Sequence, residues 1–184
     1  MTIIPTPIEG CLLIKPRIFK DDRGYFFEAF NRQKFAEATG FDIDFIQDNQ
    51  SYSTKGVLRG LHLQKGEHSQ AKLVRVTKGE VLDVALDLRK GSATYGQHYS
   101  VILSEENNDQ FFIPRGFAHG FIVLSDEAVF QYKCDNYYSK EAEGGLYYAD
   151  PDLNIDWKMN IDDVLVSDKD LELPFLKDAP DFGF

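Results

Sequence analysis

The stretch VLRGLHLQ (57–64) contains a histidine, His62, in the middle of an otherwise strand-like and largely apolar segment. The side chain of histidine gains and loses a proton near neutral pH, and its neutral ring also binds metals. His62 can therefore be a hydrogen-bonded core residue, a metal ligand or a proton-transfer group. The residues that lie near it in the fold decide between these three roles.

A second histidine tests the role of metal ligand. The segment IPRGFAHGF (113–121) has the spacing P-x-G-x-x-H, ending at His119, which resembles the second motif of the cupin family of jelly-roll barrels. Metal-binding cupins supply H-x-H from an earlier strand, but here Gln64 stands at the place of the second histidine. A transition-metal site needs three or more convergent ligands, and the cation Lys72 would oppose a metal nearby. We therefore expect no bound metal.

Several polar side chains are expected on strands next to His62, where a polar group must be hydrogen-bonded to be tolerated. They favour a working cavity inside the barrel over two histidines that only fill the core. Strict alternation places His62 on one face with Leu58, and Arg59 on the other, but a bulge at Gly60 would let both His62 and Arg59 reach one site. The expected cavity residues are Gln64, Lys72, Asp83, His119, Gln131 and Tyr132.

Two further segments have side chains that suit a nucleotide or a proton donor. In FKDDRGYFFE (19–28), Arg23 lies beside aromatic residues; an arginine fork suits phosphate oxygens, and an aromatic face suits a nucleobase. In YKCDNYYSKEAEGG (132–145), three tyrosines crowd together, and a tyrosine can serve as a general acid. Composition alone favours an ordinary hairpin for the first segment, and a half-buried aromatic edge explains the second equally well.

The elements that must position these residues are mostly strands. Strand-like runs occur at 11–19, 25–30, 57–64, 71–77, 80–88, 98–104, 110–114, 120–124 and 128–134. Lys78-Gly79 predicts a tight hairpin between two of them. Residues 31–40 form the one clearly helical segment, capped by Asn31 and ended by Gly40, and a short helix is predicted near Ser167–Leu171. The pattern predicts a mainly all-β fold: an antiparallel jelly-roll or cupin barrel with a few short helices.

Length and charge limit the classes of protein. The 184 residues fit a single domain spanning 1–184, and the net charge of −10 disfavours nucleic acid and anionic membranes as partners. No signal-peptide pattern is visible, and no run approaches the roughly 18 apolar residues of a membrane span. Two cysteines do not make a disulfide framework. We expect a soluble protein of a reducing compartment, the cytoplasm.

Seven stretches together resemble one family, the dTDP-4-dehydrorhamnose 3,5-epimerases. They are F-x-D-D-R-G-x-F-x-E (19–28), Q-D-N-x-S (47–51), V-L-R-G-L-H-x-Q (57–64), K-L-V-R (72–75), I-P-x-G-F-A-H-G-F (113–121), Y-K-x-x-x-Y-Y-S (132–139) and S-x-K-D (167–170). They keep the order of the family and span nearly the whole chain. The resemblance implies a jelly roll without metal or other cofactor that acts as a homodimer on a dTDP-sugar.

The resemblance also implies a role for individual residues. His62 matches the catalytic base, Asp170 the carboxylate that orients it, Tyr132 the general acid and Lys72 the cation near the C4 oxygen of the substrate. The residues that match substrate-binding positions are Arg23, Phe26, Glu28, Gln47, Asn49, Arg59, His119, Tyr138, Glu143 and Lys169. The N-terminal hairpin, about residues 11–30, is implied to reach the partner subunit, and the tail 157–184 carries the short helix.

Residue chemistry agrees with the implied reaction, because a ketone at C4 acidifies the protons on C3 and C5 and calls for a base, an acid and a cation. Several alternatives stay open. Asp162, Asp163 and Asp168 lie near Asp170 in sequence and compete for its role. The function can also be that of a single-centre (C3 or C5) epimerase, a 3,4-ketoisomerase, a non-catalytic sugar-nucleotide-binding cupin or a metal-dependent cupin.

Overall fold

The computed structural model describes residues 1–184. Its strands are β1 (Thr2–Pro5), β2 (Leu12–Lys15), β3 (Phe19–Asp21), β4 (Gly24–Phe26), β5 (Gln47–Thr54), β6 (Leu58–Gln64), β7 (Lys72–Lys78), β8 (Glu80–Asp87), β9 (His98–Ser104), β10 (Gln110–Ile113), β11 (Phe117–Val123), β12 (Glu127–Cys134) and β13 (Glu143–Gly145). The α-helices are α1 (Arg32–Thr39) and α2 (Asp168–Leu171). Short 3₁₀ helices cover Gly66–His68, Ile161–Asp163 and Leu176–Asp178.

Two antiparallel sheets form the body of the protein. One has six strands in the order β1-β2-β10-β7-β12-β5, and the other has five in the order β13-β6-β11-β8-β9. Strands β3 and β4 form a separate two-stranded ribbon. The expected mainly antiparallel β-fold with a few short helices is confirmed, and it has the cupin-like jelly-roll arrangement.

Three apolar clusters hold these layers together. The largest lies between the two sheets and includes Val74 and Phe111 from one sheet and Phe121 from the other. A second cluster covers the outer face of the five-stranded sheet, where the C-terminal tail contributes Trp157 and Phe182. The third lies beneath α1 on the outer face of the six-stranded sheet. Because apolar burial drives folding, the tail is part of the folded body and not an appendage.

Helix α1 forms where its caps predict it. The side-chain oxygen of Asn31 accepts a hydrogen bond from the Lys34 backbone N–H at 3.1 Å, and Gly40 ends the helix in the left-handed conformation, with φ of 79°. Phe35 is buried and packs edge-on against Phe112, with ring centroids 5.4 Å apart. The prediction of a helix over 31–40 is confirmed, as is the short helix that follows Ser167.

The prediction of a hairpin at Lys78-Gly79 is wrong. Strand β7 belongs to the six-stranded sheet and β8 to the five-stranded sheet, so the chain crosses between the layers here. Gly79 has φ of 76°, and an added Cβ would lie 2.0 Å from the carbonyl oxygen of Glu127, so this close corner requires glycine. The predicted strand at 25–30 is also too long, because β4 ends at Phe26.

The helices are short. Helix α1 has eight residues and α2 has four. No helix combines the length and hydropathy needed to cross a bilayer.

Candidate active site

A cavity of about 340 Å³ opens between the two sheets. Its walls come from β6 and β11 on one side and from β5, β7 and β12 on the other. The polar side chains at its centre are Arg59, His62, Gln64, Lys72, His119 and Tyr132. The residues expected around His62 therefore meet in one place, except for Gln131, described below, and Asp83, which is fully buried behind His119 and does not line the cavity.

A bulge in β6 makes this arrangement possible. His119 of β11 pairs with His62, and Phe121 pairs with Arg59. Two steps along β11 therefore correspond to three steps along β6, so β6 carries one extra residue here. Gly60 sits at the irregular position with φ of 133°, and an added Cβ would lie 2.6 Å from the Cα of the neighbouring strand's glycine. Arg59 and His62 consequently reach the same cavity, as expected if Gly60 marks a bulge.

The same bulge overturns strict alternation along β6. The expectation that Leu58 shares the face of His62 is wrong, because Leu58 belongs to the cluster beneath the C-terminal tail.

The expectation that Gln131 lines the central cavity is also wrong. Gln131 lies on the outer face of the six-stranded sheet, where its side chain donates to Gln50 Oε1 at 2.7 Å and lines a separate cavity beside Arg75.

His62 contacts Asp170, which comes from α2 in the C-terminal tail. Nε2 of His62 donates to Oδ1 of Asp170 at 2.7 Å, and the backbone N–H of Gly60 donates to Oδ2 at 3.3 Å. Burial raises the pKa of Asp170, but these hydrogen bonds outweigh it, so the net pKa lies below its usual value. An ionised Asp170 fixes the proton of His62 on Nε2 and leaves Nδ1 available to the cavity.

The other tail aspartates do not make this contact. Asp162 and Asp163 lie in an exposed 3₁₀ helix, and Asp168 is exposed at the start of α2. Asp170 is 3% exposed, because α2 begins at the Ser167 cap and turns this one residue inward. Of the four candidates, Asp170 alone hydrogen-bonds to the ring of His62.

A second histidine–aspartate pair lies on β11 and β8, beside strand β6 that carries His62. His119 is paired with His62 in the β6–β11 register, and its Nε2 donates to Oδ2 of Asp83 at 2.9 Å. The side chains of His119 and Asp83 are 7% and 0% exposed, whereas that of His62 is 41% exposed. Burial lowers the pKa of His119, although Asp83 acts in the opposite direction. His119 is therefore neutral at neutral pH.

Lys72 and Tyr132 face the histidines from the six-stranded sheet. Nζ of Lys72 lies 5.9 Å from the centroid of the Tyr132 ring. Burial lowers the pKa of Lys72, while the neighbouring Cys134 and the carboxylate of Asp83 act in the opposite direction. Burial also raises the pKa of Tyr132, so its hydroxyl keeps its proton at neutral pH. The cavity thus has a base on one wall and a proton donor with a cation on the other.

The mouth of the cavity is built by a loop that follows β12. The hydroxyl of Tyr138 donates to Glu143 Oε1 at 2.9 Å, and Glu143 also forms an ion pair with Lys169. The backbone N–H of Tyr138 donates to Gln47 Oε1 at 3.0 Å. Asn49, Tyr138, Glu143 and Lys169 line the cavity, and Gln47 supports its rim. Among the polar lining residues that were not expected, Ser51 ends the Q-D-N-x-S stretch, whereas Gln50 and Gln70 stand at no motif position.

Three expected substrate-binding residues lie away from this cavity. Arg23 and Phe26 belong to the β3–β4 ribbon, where the guanidinium of Arg23 pairs with Asp21 at 2.6 Å and Phe26 is 69% exposed. Glu28 follows the ribbon and pairs with Lys34 at 2.8 Å. None of the three lines the central cavity of its own chain.

The donor set beside the histidines suits no transition metal. His62 and His119 are flanked by an amide and an ammonium group, Gln64 and Lys72. Among residues 1–184, no three His, Cys, Asp or Glu side chains cluster closely enough to hold a metal ion.

Comparison with known proteins agrees with this geometry. Residues 5–178 match the family model for dTDP-4-dehydrorhamnose 3,5-epimerase. The chain belongs to this family. It is 50% identical over 182 residues to the dTDP-4-dehydrorhamnose 3,5-epimerase of Shigella flexneri, with 99% of each chain covered.

Solved structures of the family have the same fold. The enzyme from Elizabethkingia anophelis superposes with a TM-score of 0.93 at 55% identity, with 97% of each chain covered. The epimerase from Legionella pneumophila, solved in complex with dTDP-4-keto-L-rhamnose, gives a TM-score of 0.93 at 49% identity, covering 97% of this chain and 94% of that one.

Proposed function

We propose that this protein is a dTDP-4-dehydrorhamnose 3,5-epimerase, which inverts C3 and C5 of dTDP-4-keto-6-deoxy-D-glucose in the synthesis of dTDP-L-rhamnose. The observation that carries the proposal is the opposition of His62, backed by Asp170 at 2.7 Å, to Lys72 and Tyr132 across one cavity. This arrangement supplies a base on one side of a sugar ring and an acid on the other. Family membership over residues 5–178 supports the same activity.

The reaction follows from the acidity of carbons beside a ketone. Nδ1 of His62 removes the proton from C3 or C5, and the electron pair of the C–H bond moves to the C4 oxygen as an enolate. The ammonium of Lys72 stabilises this negative charge, as donors in an oxyanion hole do. Tyr132 then donates its phenolic proton to the opposite face of the carbon. Exchange with solvent removes the proton from His62 and restores that of Tyr132, so the cycle balances and repeats at the second carbon.

Asp170 supports the base in two ways. It holds the proton on Nε2 of His62, and its negative charge stabilises the imidazolium that forms, as the carboxylate does in a Ser-His-Asp triad. His119 and Arg59 line the same cavity and are placed to bind the sugar and its diphosphate. Gln47, Asn49, Tyr138, Glu143 and Lys169 at the mouth are proposed to hold the nucleotide.

We also propose that the single domain of residues 1–184 works as a homodimer. Arg23, Phe26 and Glu28 lie outside the cavity of their own chain, and Phe19, Tyr25 and Phe26 expose large aromatic surfaces on the ribbon. Exposed aromatic side chains of this kind mark interaction sites. A second copy that receives this ribbon at its cavity mouth would complete the nucleotide site. A cytoplasmic location remains a prediction from the sequence.

Proton exchange tests the activity directly. NMR of dTDP-4-keto-6-deoxy-D-glucose in deuterated water should show label entering both C3 and C5 together with inversion. His62→Ala should abolish exchange while binding of dTDP is retained. Label at a single carbon would indicate a C3- or C5-only epimerase, and binding without any exchange would indicate a non-catalytic sugar-nucleotide-binding protein.

Mixed dimers test the contribution of the ribbon. His62→Ala and Arg23→Ala should each be inactive alone. If the ribbon serves the partner's cavity, subunit exchange between the two variants regenerates intact sites, and activity returns to about a quarter of the parental value. If each ribbon serves its own chain, no mixture contains an intact site and activity stays absent.

A further inference from the structure

One buried side-chain oxygen in the protein has no hydrogen-bond partner. It is Oδ1 of Asp83, on the interior side of β8, and the residue is fully buried. An unsatisfied buried carboxylate oxygen is costly, and such groups are rare in folded proteins. The seven family-like stretches of the sequence do not include Asp83, and the reaction described above does not use it.

The other oxygen of Asp83 orients His119. Because Oδ2 accepts a hydrogen bond from Nε2 of His119 at 2.9 Å, the proton of this neutral ring lies on Nε2. The remaining nitrogen, Nδ1, is then an acceptor on a ring that lines the cavity. The ring of His119 stacks on Phe130, with centroids 5.9 Å apart, so it has little freedom to turn.

Asp83 also acts on Lys72. The ammonium of Lys72 forms no ion pair within 4.0 Å in the chain, and the groups around it are Cys134, Tyr132, His119 and Asp83. Asp83 is the carboxylate that favours the charged form of Lys72, against the burial that disfavours it. The charge needed at the enolate oxygen therefore depends on a residue that does not line the cavity.

We propose that Asp83 is a positioning residue of the epimerase site, which fixes His119 as a hydrogen-bond acceptor toward the sugar and keeps Lys72 cationic. This inference rests on the proposed function. It assigns the second histidine–aspartate pair a role unlike that of the first: in His62–Asp170 a partly exposed histidine moves protons, whereas His119–Asp83 is enclosed and keeps a fixed protonation state.

The same strand provides a matched control. Asp87 is also fully buried on β8, four residues after Asp83, but hydrogen bonds from Arg89, Ser92 and Thr94 satisfy its carboxylate. Asp87 does not line the cavity. Asp87→Asn therefore removes a buried carboxylate of the same strand without touching His119 or Lys72.

The first readout is the tautomer of His119, measured by ¹⁵N NMR in the absence of substrate. The chain has four histidines, and His119 is assigned by the signal lost in His119→Gln. We expect the parent and Asp87→Asn to carry the proton on Nε2. In Asp83→Asn the amide group can donate to Nε2, which moves the proton to Nδ1, as the equivalent exchange does in a serine protease. The measurement requires no turnover, so it stands even if the proposed activity fails.

The second readout is the pH profile of turnover. Because loss of the Asp83 charge lowers the pKa of Lys72, the alkaline limb of kcat/KM should move to lower pH in Asp83→Asn, with kcat reduced by about 100-fold at neutral pH. Asp87→Asn should keep the parental profile. A parental tautomer and alkaline limb in Asp83→Asn would overturn the proposal. If that variant does not fold, a parent protein whose His119 carries its proton on Nδ1 overturns it equally.

Discussion

Replacement of Asp170 by asparagine is the sharpest test of the proton-transfer pair. The change keeps the size of the side chain but removes the negative charge 2.7 Å from His62 Nε2. Opposite charges separated by about 4 Å at an effective dielectric constant of about 20 attract by about 4 kcal/mol. Since the side chain of His62 is 41% exposed, solvent reduces this value to about 2 kcal/mol. The imidazolium that forms in the reaction loses this stabilisation.

The expected result is a fall in kcat of about 30-fold, since 1.4 kcal/mol corresponds to a factor of about ten. KM should change little, because Asp170 lies behind His62 and does not line the cavity. The assay is the rate of deuterium entry at C3 and C5 followed by NMR. Asp168→Asn, in the same helix but exposed, is the control and should match the parent. A kcat for Asp170→Asn within about threefold of the parent would refute the role assigned to this carboxylate.

Three further changes give distinct outcomes. Tyr132→Phe should lower turnover about 10²- to 10⁴-fold and allow deuterium to enter with retained configuration, while the exposed Tyr137→Phe behaves as the parent; inversion at the parental rate would exclude Tyr132 as the acid. Gly60→Ala should destabilise the protein by more than about 2 kcal/mol in thermal unfolding, because its Cβ meets the neighbouring strand. Gly91 also has a positive φ, but its added Cβ would meet open space, so Gly91→Ala should lower the free energy of unfolding by only about 1 kcal/mol. Equal losses of stability in the two variants would show that the Cβ at position 60 does not meet the neighbouring strand. Asp87→Asn should lower stability in urea by about 2 kcal/mol at pH 7. The folded-state pKa of Asp87, near 2, lies below its unfolded value, so its contribution exists above about pH 4 and disappears as pH falls toward 2; a constant difference from pH 7 to pH 2 would contradict this.

The buried strands could be predicted because their apolar residues follow simple patterns. Strands β6 to β12 lie within or close to the predicted runs, since both of their faces or one complete face pack against a core. Strand β5 was not predicted. Its sequence, QDNQSYST, has no apolar alternation, because Asn49 and Ser51 on one side line the polar cavity while the other side is largely exposed. A strand whose inner face builds a site does not have the pattern of a core strand.

The central residues of the site could be predicted from family motifs, but their arrangement could not. Periodicity alone places Leu58 on the face of His62, and the bulge at Gly60, where β6 closely approaches β11, reverses this. Asp83 was expected in the cavity without a role, because its function depends on His119, which is 36 residues away in sequence. Long-range contacts of this kind leave no local signal.

The pairing of His62 with Asp170 has a consequence for the order in which the enzyme folds during its synthesis. The two residues are 108 positions apart, and the strands that shape the cavity all end by Gly145. Because a chain under synthesis folds from its N-terminal part onward, a nascent barrel can acquire its pocket while the carboxylate is still missing. Docking of the C-terminal tail then completes the active site last. The time at which proton exchange begins therefore reports when folding of the whole chain is complete.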